Sequence, residues 1–173
     1  MSILILKGYG LTGYDALAYG FSLVGGQCKI IHLDELIKKK ELLLEHHVLV
    51  IGGGKTFGDY LFPGKLFAQK LKHYLLHELQ QFISQGKLIL GLGNGFQILV
   101  ELGILPFVDF KKHISFLPRN FNSWAYLSVQ TTTPCIYTKG FQGMYLPLLS
   151  SYSFVYMEQQ TFETLQKNNQ LVL

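Results

Sequence analysis

The sequence predicts an α/β domain built on a central, mostly parallel β-sheet with an antiparallel β extension. Three observations carry that prediction. Short strands that are apolar throughout alternate with helical segments, the pattern of a sheet covered on both faces. Three of those strands run into glycine-rich loops, at residues 8–13, 52–54 and 91–95. After Phe110 the chain turns to β-branched and aromatic residues punctuated by Pro and Gly, which reads as antiparallel strands.

Each element has its own local reason. Residues 3–7 (ILILK) form a buried strand, and GYGLTGYD (8–15) is a glycine-rich turn. Residues 16–24 carry helical spacing until Gly25-Gly26 stops them. Residues 28–32 are a second strand, and DELIKKKELLLEHH (34–47) a helical or irregular crossing. Residues 48–51 (VLVI) are a third strand running into Gly52-Gly53-Gly54. Residues 66–84 form a long amphipathic helix closed by Gly86, and residues 88–90 a fourth strand. HISFLPRNFNSWAYLSVQTTTPCIYTKG and MYLPLLSSYSFVYM supply the antiparallel part. With no repeat, low-complexity linker or composition break, residues 1–173 read as one domain.

Composition narrows the function classes. Of the 173 residues 49% are hydrophobic and 15% charged, so a sizeable core is available and the surface leaves room for a subunit interface. The net charge of +4 is thinly spread. Its densest run, Lys38-Lys39-Lys40, lies beside Glu35 and Glu41 without interleaved aromatics, a solvated helix end rather than a nucleic-acid patch. Two cysteines, Cys28 and Cys135, sit in apolar β-type runs and read as reduced, buried thiols of a cytoplasmic protein. SILIL is too short for a signal-peptide core and no run approaches a membrane span, so neither nucleic acid nor membrane is an expected partner.

The common motifs fit poorly. A dinucleotide fingerprint needs G-x-G-x-x-G after the first strand; here Gly91, Gly93 and Gly95 follow the fourth, with Phe96 where a small residue belongs. GGGKT (52–56) resembles the end of a phosphate-binding loop, but its first glycine would fall at Leu49, inside the strand, which leaves Lys55 an ordinary loop lysine. His73 and His77 have the i, i+4 spacing that suits zinc, yet no third ligand accompanies them. No G-x-S-x-G is present. No cofactor or metal is called for.

GLGNGFQ (91–97) has the form of a nucleophile elbow, a sharp strand-to-helix turn with small residues on either side of its apex, here Gly93. It resembles the G-[IL]-C-N-G-F-Q-I-L of the glutaminase subunit of phosphoribosylformylglycinamidine synthase, a class I glutamine amidotransferase of purine biosynthesis, matching it except at the cysteine. GYGLTGYDALAYGFSLVGG, IHLDELI, LVIGGGKTFGDYLFPGKLFAQKL and TPCIYTKGFQGMYLP resemble further landmarks of that family, so the similarity spans nearly the whole chain. It implies a three-layer, flavodoxin-like class I glutamine amidotransferase fold, C-terminally shortened. It also implies a catalytic set in which a cysteine thiolate attacks the glutamine amide, a histidine moves the proton and an acid orients that histidine. Backbone N–H groups of Gly53 or Gly54 and of Asn94 would hold the oxyanion, and Gln97 would shape the glutamine pocket.

The chain departs from that pattern in three places. Gly93 stands where the cysteine would be, Ser150-Ser151-Tyr152-Ser153 replaces the family's H-G-E-G, and no His-x-Glu pair occurs before the chain ends at NNQLVL. Cys28 and Cys135, expected in strand interiors, are no substitutes. The expectation is a degenerate glutaminase-like subunit without glutaminase activity. An alternative is a structural subunit of an ammonia-using synthase complex; another is a module whose glycine loops bind a different small metabolite. The implied partner is the synthetase subunit, and a shortened C-terminus that leaves apolar surface open predicts a homo-oligomer. Whether glutamine still binds stays open.

Overall fold

Four strands, three of them apolar almost from end to end, meet in one parallel sheet of the computed structural model, which describes residues 1–130, 132–152 and 154–172. In chain order the elements are β1 (Ser2–Lys7), β2 (Leu11–Thr12), α1 (Tyr14–Leu23), β3 (Gln27–His32), α2 (Leu33–Lys38), α3 (Glu41–Leu44), β4 (Val48–Ile51) and β5 (Gly53–Gly54). They continue with α4 (Lys65–Ser84), β6 (Leu88–Gly91), α5 (Asn94–Leu102), β7 (Ile114–Leu117), β8 (Phe121–Ser128), β9 (Gly143–Ser150), β10 (Phe154–Met157) and α6 (Gln159–Lys167). Contacts divide the chain into two compact units, Met1–Ile104 and Leu105–Leu173.

The first unit holds the parallel sheet, in the order β3-β1-β4-β6. Counted along the parallel strands this is 2-1-3-4, the flavodoxin-like order, with the reversal falling between β1 and β4. Ile3, Ile5, Val48 and Val50 form a sealed cluster on one face, against which Tyr14, Leu17, Ala18 and Phe21 of α1 pack. The alternating residues Leu4, Leu6, Leu49 and Ile51 point the other way and are equally buried. α5 packs on β4 and β6, and α4 packs on α5. With both faces covered, neither side of β1 or β4 has a use for polar residues, which is why those strands read as continuous apolar runs.

The helices follow their sequence signals. α4 buries Phe67, Leu71, Leu75, Leu79 and Phe82, spaced three or four residues apart, and the chain turns away at Gly86 with φ 69°. The crossing 34–47 resolves into α2 and α3; His32 caps α2 by accepting the Asp34 N–H at 3.2 Å. Lys39 pairs with Glu35 at 3.5 Å and Lys40 with Glu78 at 3.8 Å, as a solvated helix end should. The two-residue pair β2–β5 was not foreseen: no period is legible in so short a strand.

The second unit contains the expected antiparallel strands as two separate ribbons, β7 with β10 and β8 with β9. It also contains α6, a largely polar helix that buries Leu165 and that the sequence reading did not anticipate. Cys135 is a correction. It lies outside any strand, just before the 3-10 turn Ile136–Thr138, and is half-buried. Pro134 removes a ladder donor. The chain turns there instead, Thr133 N–H donating to Gln130 O at 3.2 Å and Cys135 N–H to Thr133 Oγ1 at 3.2 Å. Cys28 does lie in β3, but is also only half-buried, so neither thiol is sealed in the core as expected.

Candidate functional site

At the carboxyl ends of β1, β4 and β6 the three glycine loops interlock, backbone against backbone. β2, from the loop after β1, pairs antiparallel with β5, from the loop after β4, in the register Leu11↔Gly54 and Thr12↔Gly53. Lys55 N–H donates to Gly10 O at 3.1 Å, and a Cβ on Gly54 would lie 2.2 Å from that same oxygen. The loop after β6 closes on β4: Leu92 N–H donates to Ile51 O at 3.0 Å, and a Cβ on Gly95 would come within 2.0 Å of that carbonyl. A Cβ on Gly91 would meet Leu99 Cδ1 at 2.7 Å and Gly95 O at 2.8 Å. Glycine at 54, 91 and 95 is therefore imposed by close approach.

Gly93 is glycine under a different constraint. A Cβ there would meet a single neighbour within 4 Å, the Gly53 Cα at 3.6 Å, so a side chain has room. The backbone, at φ 56° and ψ −113°, is a conformation that side chains resist. Room for a side chain on strained backbone, between a strand and a helix N-terminus, is the geometry of an elbow apex. The Gly93 carbonyl accepts the Gln97 N–H at 3.3 Å, opening α5, and the Asn94 N–H is the first of that helix. Of the residues whose N–H groups the sequence nominates as oxyanion donors, Asn94 directly follows the apex and Gly53 is the one neighbour a Cβ on Gly93 would meet, whereas Gly54 packs against Gly10 and Thr12.

The side chain of Asn94 does more than the sequence reading assigned to it. Only 4% exposed, it accepts the Thr56 N–H at 3.0 Å and the Thr56 hydroxyl at 2.6 Å on Oδ1. Its Nδ2 donates to Asp59 Oδ1 at 3.1 Å and to Gln97 Oε1 at 2.8 Å. The amide orientation is fixed by this set, since only one assignment gives every partner a complement. Gln97, the predicted pocket residue, is held through Asn94. Burial pushes the Asp59 carboxyl above its ordinary range, against the Asn94 hydrogen bond and the charge of Lys55. Thr56 and Asp59 were missed in the sequence; the available signal was their position directly after a glycine loop at a strand's carboxyl end.

A second cluster braces the first loop. Tyr9, at φ 54°, stacks on Phe57 with ring centroids 4.5 Å apart, and the Phe57 N–H donates to Tyr9 O at 2.7 Å. The Tyr9 hydroxyl donates to Asp34 Oδ2 at 2.5 Å, and Lys70 Nζ lies 2.7 Å from Asp34 Oδ1. The Lys70 ammonium and the Tyr9 hydroxyl hold the Asp34 carboxyl below its usual value.

Other nominated residues lie elsewhere. Lys55 is exposed, and its N–H is used by the Gly10 carbonyl. His73 and His77 are exposed on α4, and no cluster of three or more metal-ligating side chains occurs among the described residues. Ser150, Ser151 and Tyr152 belong to the second unit, where Tyr152 N–H donates to Ser150 Oγ at 3.1 Å and Ser151 O accepts the Arg119 N–H at 3.0 Å. Ser153 lies outside the described residues. No helix among the described residues is long and apolar enough to cross a membrane.

A flavodoxin-like sheet with a nucleophile-elbow turn beside its switch point defines a protein of the class I glutamine amidotransferase fold. More particularly, the chain belongs to the CobB/CobQ-like glutamine amidotransferase domain family, whose model matches residues 1–173. It is similar to the phosphoribosylformylglycinamidine synthase subunit PurQ of Methanococcus maripaludis, 32% identical over 98% of this chain and 65% of that protein. The corresponding subunit of Dehalococcoides mccartyi is 34% identical over 84% of this chain and 59% of its own length. The chain thus spans less than two thirds of the length of either relative. The solved structure of PurLQS from Thermotoga maritima superposes with a TM-score of 0.70, at 23% identity, over 91% of this chain and 70% of that one. At that identity the likeness speaks for the fold.

Proposed function

We propose that this chain is a PurQ-like subunit that keeps the glutaminase scaffold over a single domain, residues 1–173, but does not hydrolyse glutamine. One observation carries the reading: the elbow is intact in backbone geometry, φ 56° and ψ −113° at residue 93, while the residue there is glycine. Hydrolysis through an acyl-enzyme needs a nucleophile whose sulfur bonds to the amide carbon as the C–N bond breaks and ammonia leaves with a proton. Gly93 offers no atom for that bond. The Asn94 backbone N–H, Gln97 and the Gly53–Gly54 strand can still present hydrogen-bonding groups to an amide, which is a binding function without a chemical step. Losing a member of a catalytic unit removes many powers of ten in rate, leaving what binding and oxyanion contacts provide.

The retained role is then docking to the synthetase subunit, which would use free ammonia. A purine-pathway partner together with two free thiols fits a cytoplasmic protein.

Ammonia release from glutamine by the purified chain, alone and with a PurL-type synthetase subunit, tests the reading. Release at the rate of a protein-free control supports it. Release above that rate, abolished by Gln97→Ala, overturns it. Calorimetric titration with glutamine then separates an intact pocket, which gives heat, from a scaffold kept for docking alone.

A further inference from the structure

The hydrogen-bond chain beside the apex has a fixed direction. It begins at the Thr56 N–H, a backbone donor that cannot reverse its role, bonded to Asn94 Oδ1 at 3.0 Å with the Thr56 hydroxyl on the same oxygen at 2.6 Å. The Asn94 oxygen is thereby turned to Thr56, and its amide nitrogen to Asp59 Oδ1 at 3.1 Å and Gln97 Oε1 at 2.8 Å. The Asp59 carboxyl, which also accepts from the Gly64 backbone, agrees with that direction. Gln97 therefore meets Asn94 with its oxygen, and Nε2 is left on the outer branch of its amide. Turning either amide over would set N–H against N–H. Thr56 and Asn94 are 2% and 4% exposed, so little water reaches them to relieve such a mismatch.

The backbone is bent to make this chain. Phe57, Gly58 and Asp59 all stand in the left-handed region, at φ 51°, 67° and 55°, a run that side chains resist. The bend brings Thr56 and Asp59 onto one amide. Strain retained at a single turn marks an arrangement in use. Gln97 lies one turn beyond Gly93 in α5, and helix side chains lean toward the N-terminus, here toward the apex. Its reach back to Asn94 follows that lean.

We propose that Thr56 and Asp59 are positioning residues: through Asn94 they hold Gln97 as a hydrogen-bond donor, so that the site beside the apex selects a ligand group with an acceptor oxygen, a carboxamide or a carboxylate, over an amine. Whatever meets the outer branch of Gln97 meets N–H groups. The ligand part rests on the apex being the binding site of the proposed function; the direction of the chain does not.

Asn94→Asp reverses the chain. The new carboxylate accepts from Thr56 as before but offers only acceptors to Gln97, whose amide turns over and presents oxygen outward. It also faces the Asp59 carboxyl, a conflict that Asp59→Asn relieves by supplying a donor. Asn94→Asp alone is expected to melt well below the parent at neutral pH, and the double variant to recover most of that loss. Side-chain NH2 signals in magnetic resonance spectra of the full chain, assigned to Gln97 by their loss in Gln97→Met, read the direction. In the parent the Asn94 pair exchanges with water more slowly than the Gln97 pair; in the double variant Gln97 gains a slowly exchanging proton. L-glutamine, titrated calorimetrically, is expected to bind the double variant more weakly than the parent by about tenfold or more. A parent that gives no heat with glutamine overturns the ligand part, and the amide signals then decide the direction alone. A Gln97 pair slower than the Asn94 pair in the parent overturns the proposal. So does Gln97 exchange unchanged in the double variant, a double variant as unstable as the sum of its singles, or equal glutamine affinity in both proteins.

Discussion

Asn94 takes both hydrogen bonds of Thr56 on one oxygen, the backbone N–H at 3.0 Å and the hydroxyl at 2.6 Å, and both residues are almost sealed from solvent. The bond joins two loops 38 residues apart in sequence and fixes the turn beside the apex. Removing the Asn94 side chain leaves two Thr56 donors without their acceptor and removes the donor shared by Asp59 and Gln97. Asn94→Ala is expected to lower the unfolding free energy by about 2–4 kcal/mol, measured by urea denaturation. Thr56→Val keeps the N–H bond and loses the hydroxyl; its expected loss is about 1 kcal/mol. Equal, small losses for both would mean that the amide is not the tie between the loops.

The glycines of the elbow separate into two kinds by substitution. Gly95→Ala drives a methyl to 2.0 Å from Ile51 O, backbone that cannot step aside, so the elbow must come apart from β4. That variant is expected to fail to fold or to lose more than about 4 kcal/mol. Gly93→Cys meets only the Gly53 Cα at 3.6 Å, so its cost is conformational, on the order of 1–3 kcal/mol, and it folds. Thermal melts of the two variants decide the matter. A Gly93→Cys melt at or above the parent would show that residue 93 is unstrained.

This pair also explains how much of the site could be read in advance. Strand runs such as VLVI, the α4 stripe and the three glycine loops state their structure through composition and period, so the parallel sheet and the glycine loops at its strand ends were legible. Gly93, Asn94 and Gln97 were legible because they stand within a motif. The contact of Asn94 with Thr56 was not: it forms only once β4 and β6 lie side by side, and no local pattern encodes the distance. Cys135 misled for the opposite reason. Its neighbours are β-formers, yet Pro134 and the Thr133 hydroxyl turn the chain there, and a tertiary turn outweighs local propensity. Which aromatics of β8 and β9 share a side was hidden too, because the pairing register decides it.

Asp59 gives a pH signature of definite sign. Burial raises its folded-state pKa, so the fold favours the protonated form. A carboxyl raised above its unfolded value contributes stability below both pKa values and loses it as pH climbs through the window between them. Its backbone sits at φ 55°, which Asn tolerates well. Asp59→Asn removes the charge, retains an acceptor for Asn94 and suits the backbone. The variant is expected to match the parent at acid pH and to exceed it at neutral pH, by about 0.5 kcal/mol or less because the carboxyl is partly solvated. Melts from acid to neutral pH read the difference, and a neutral-pH loss would contradict the assignment.

The Lys70–Asp34 pair has the opposite sign at its acid end. The Lys70 ammonium and the Tyr9 hydroxyl lower the Asp34 pKa, and Asp34 with Tyr9 raises that of Lys70. A lowered carboxyl contributes stability above its unfolded pKa and loses it as pH falls through the folded one; a raised amine contributes below its unfolded pKa and loses it as pH rises through the folded one. The pair therefore stabilises across a neutral plateau, roughly pH 5 to 9 from the unperturbed side-chain values. Lys70→Met keeps apolar contact with the Tyr9 ring, over which the ammonium lies at 4.2 Å, and deletes the charge. The gap in melting temperature between parent and variant should be widest on that plateau, close at acid pH as Asp34 is protonated, and shrink in high salt because both groups are solvent-accessible. A gap that stays constant from acid to neutral pH would mean that Lys70 contributes by packing alone, and that Tyr9 is held over Phe57 without help from the ion pair.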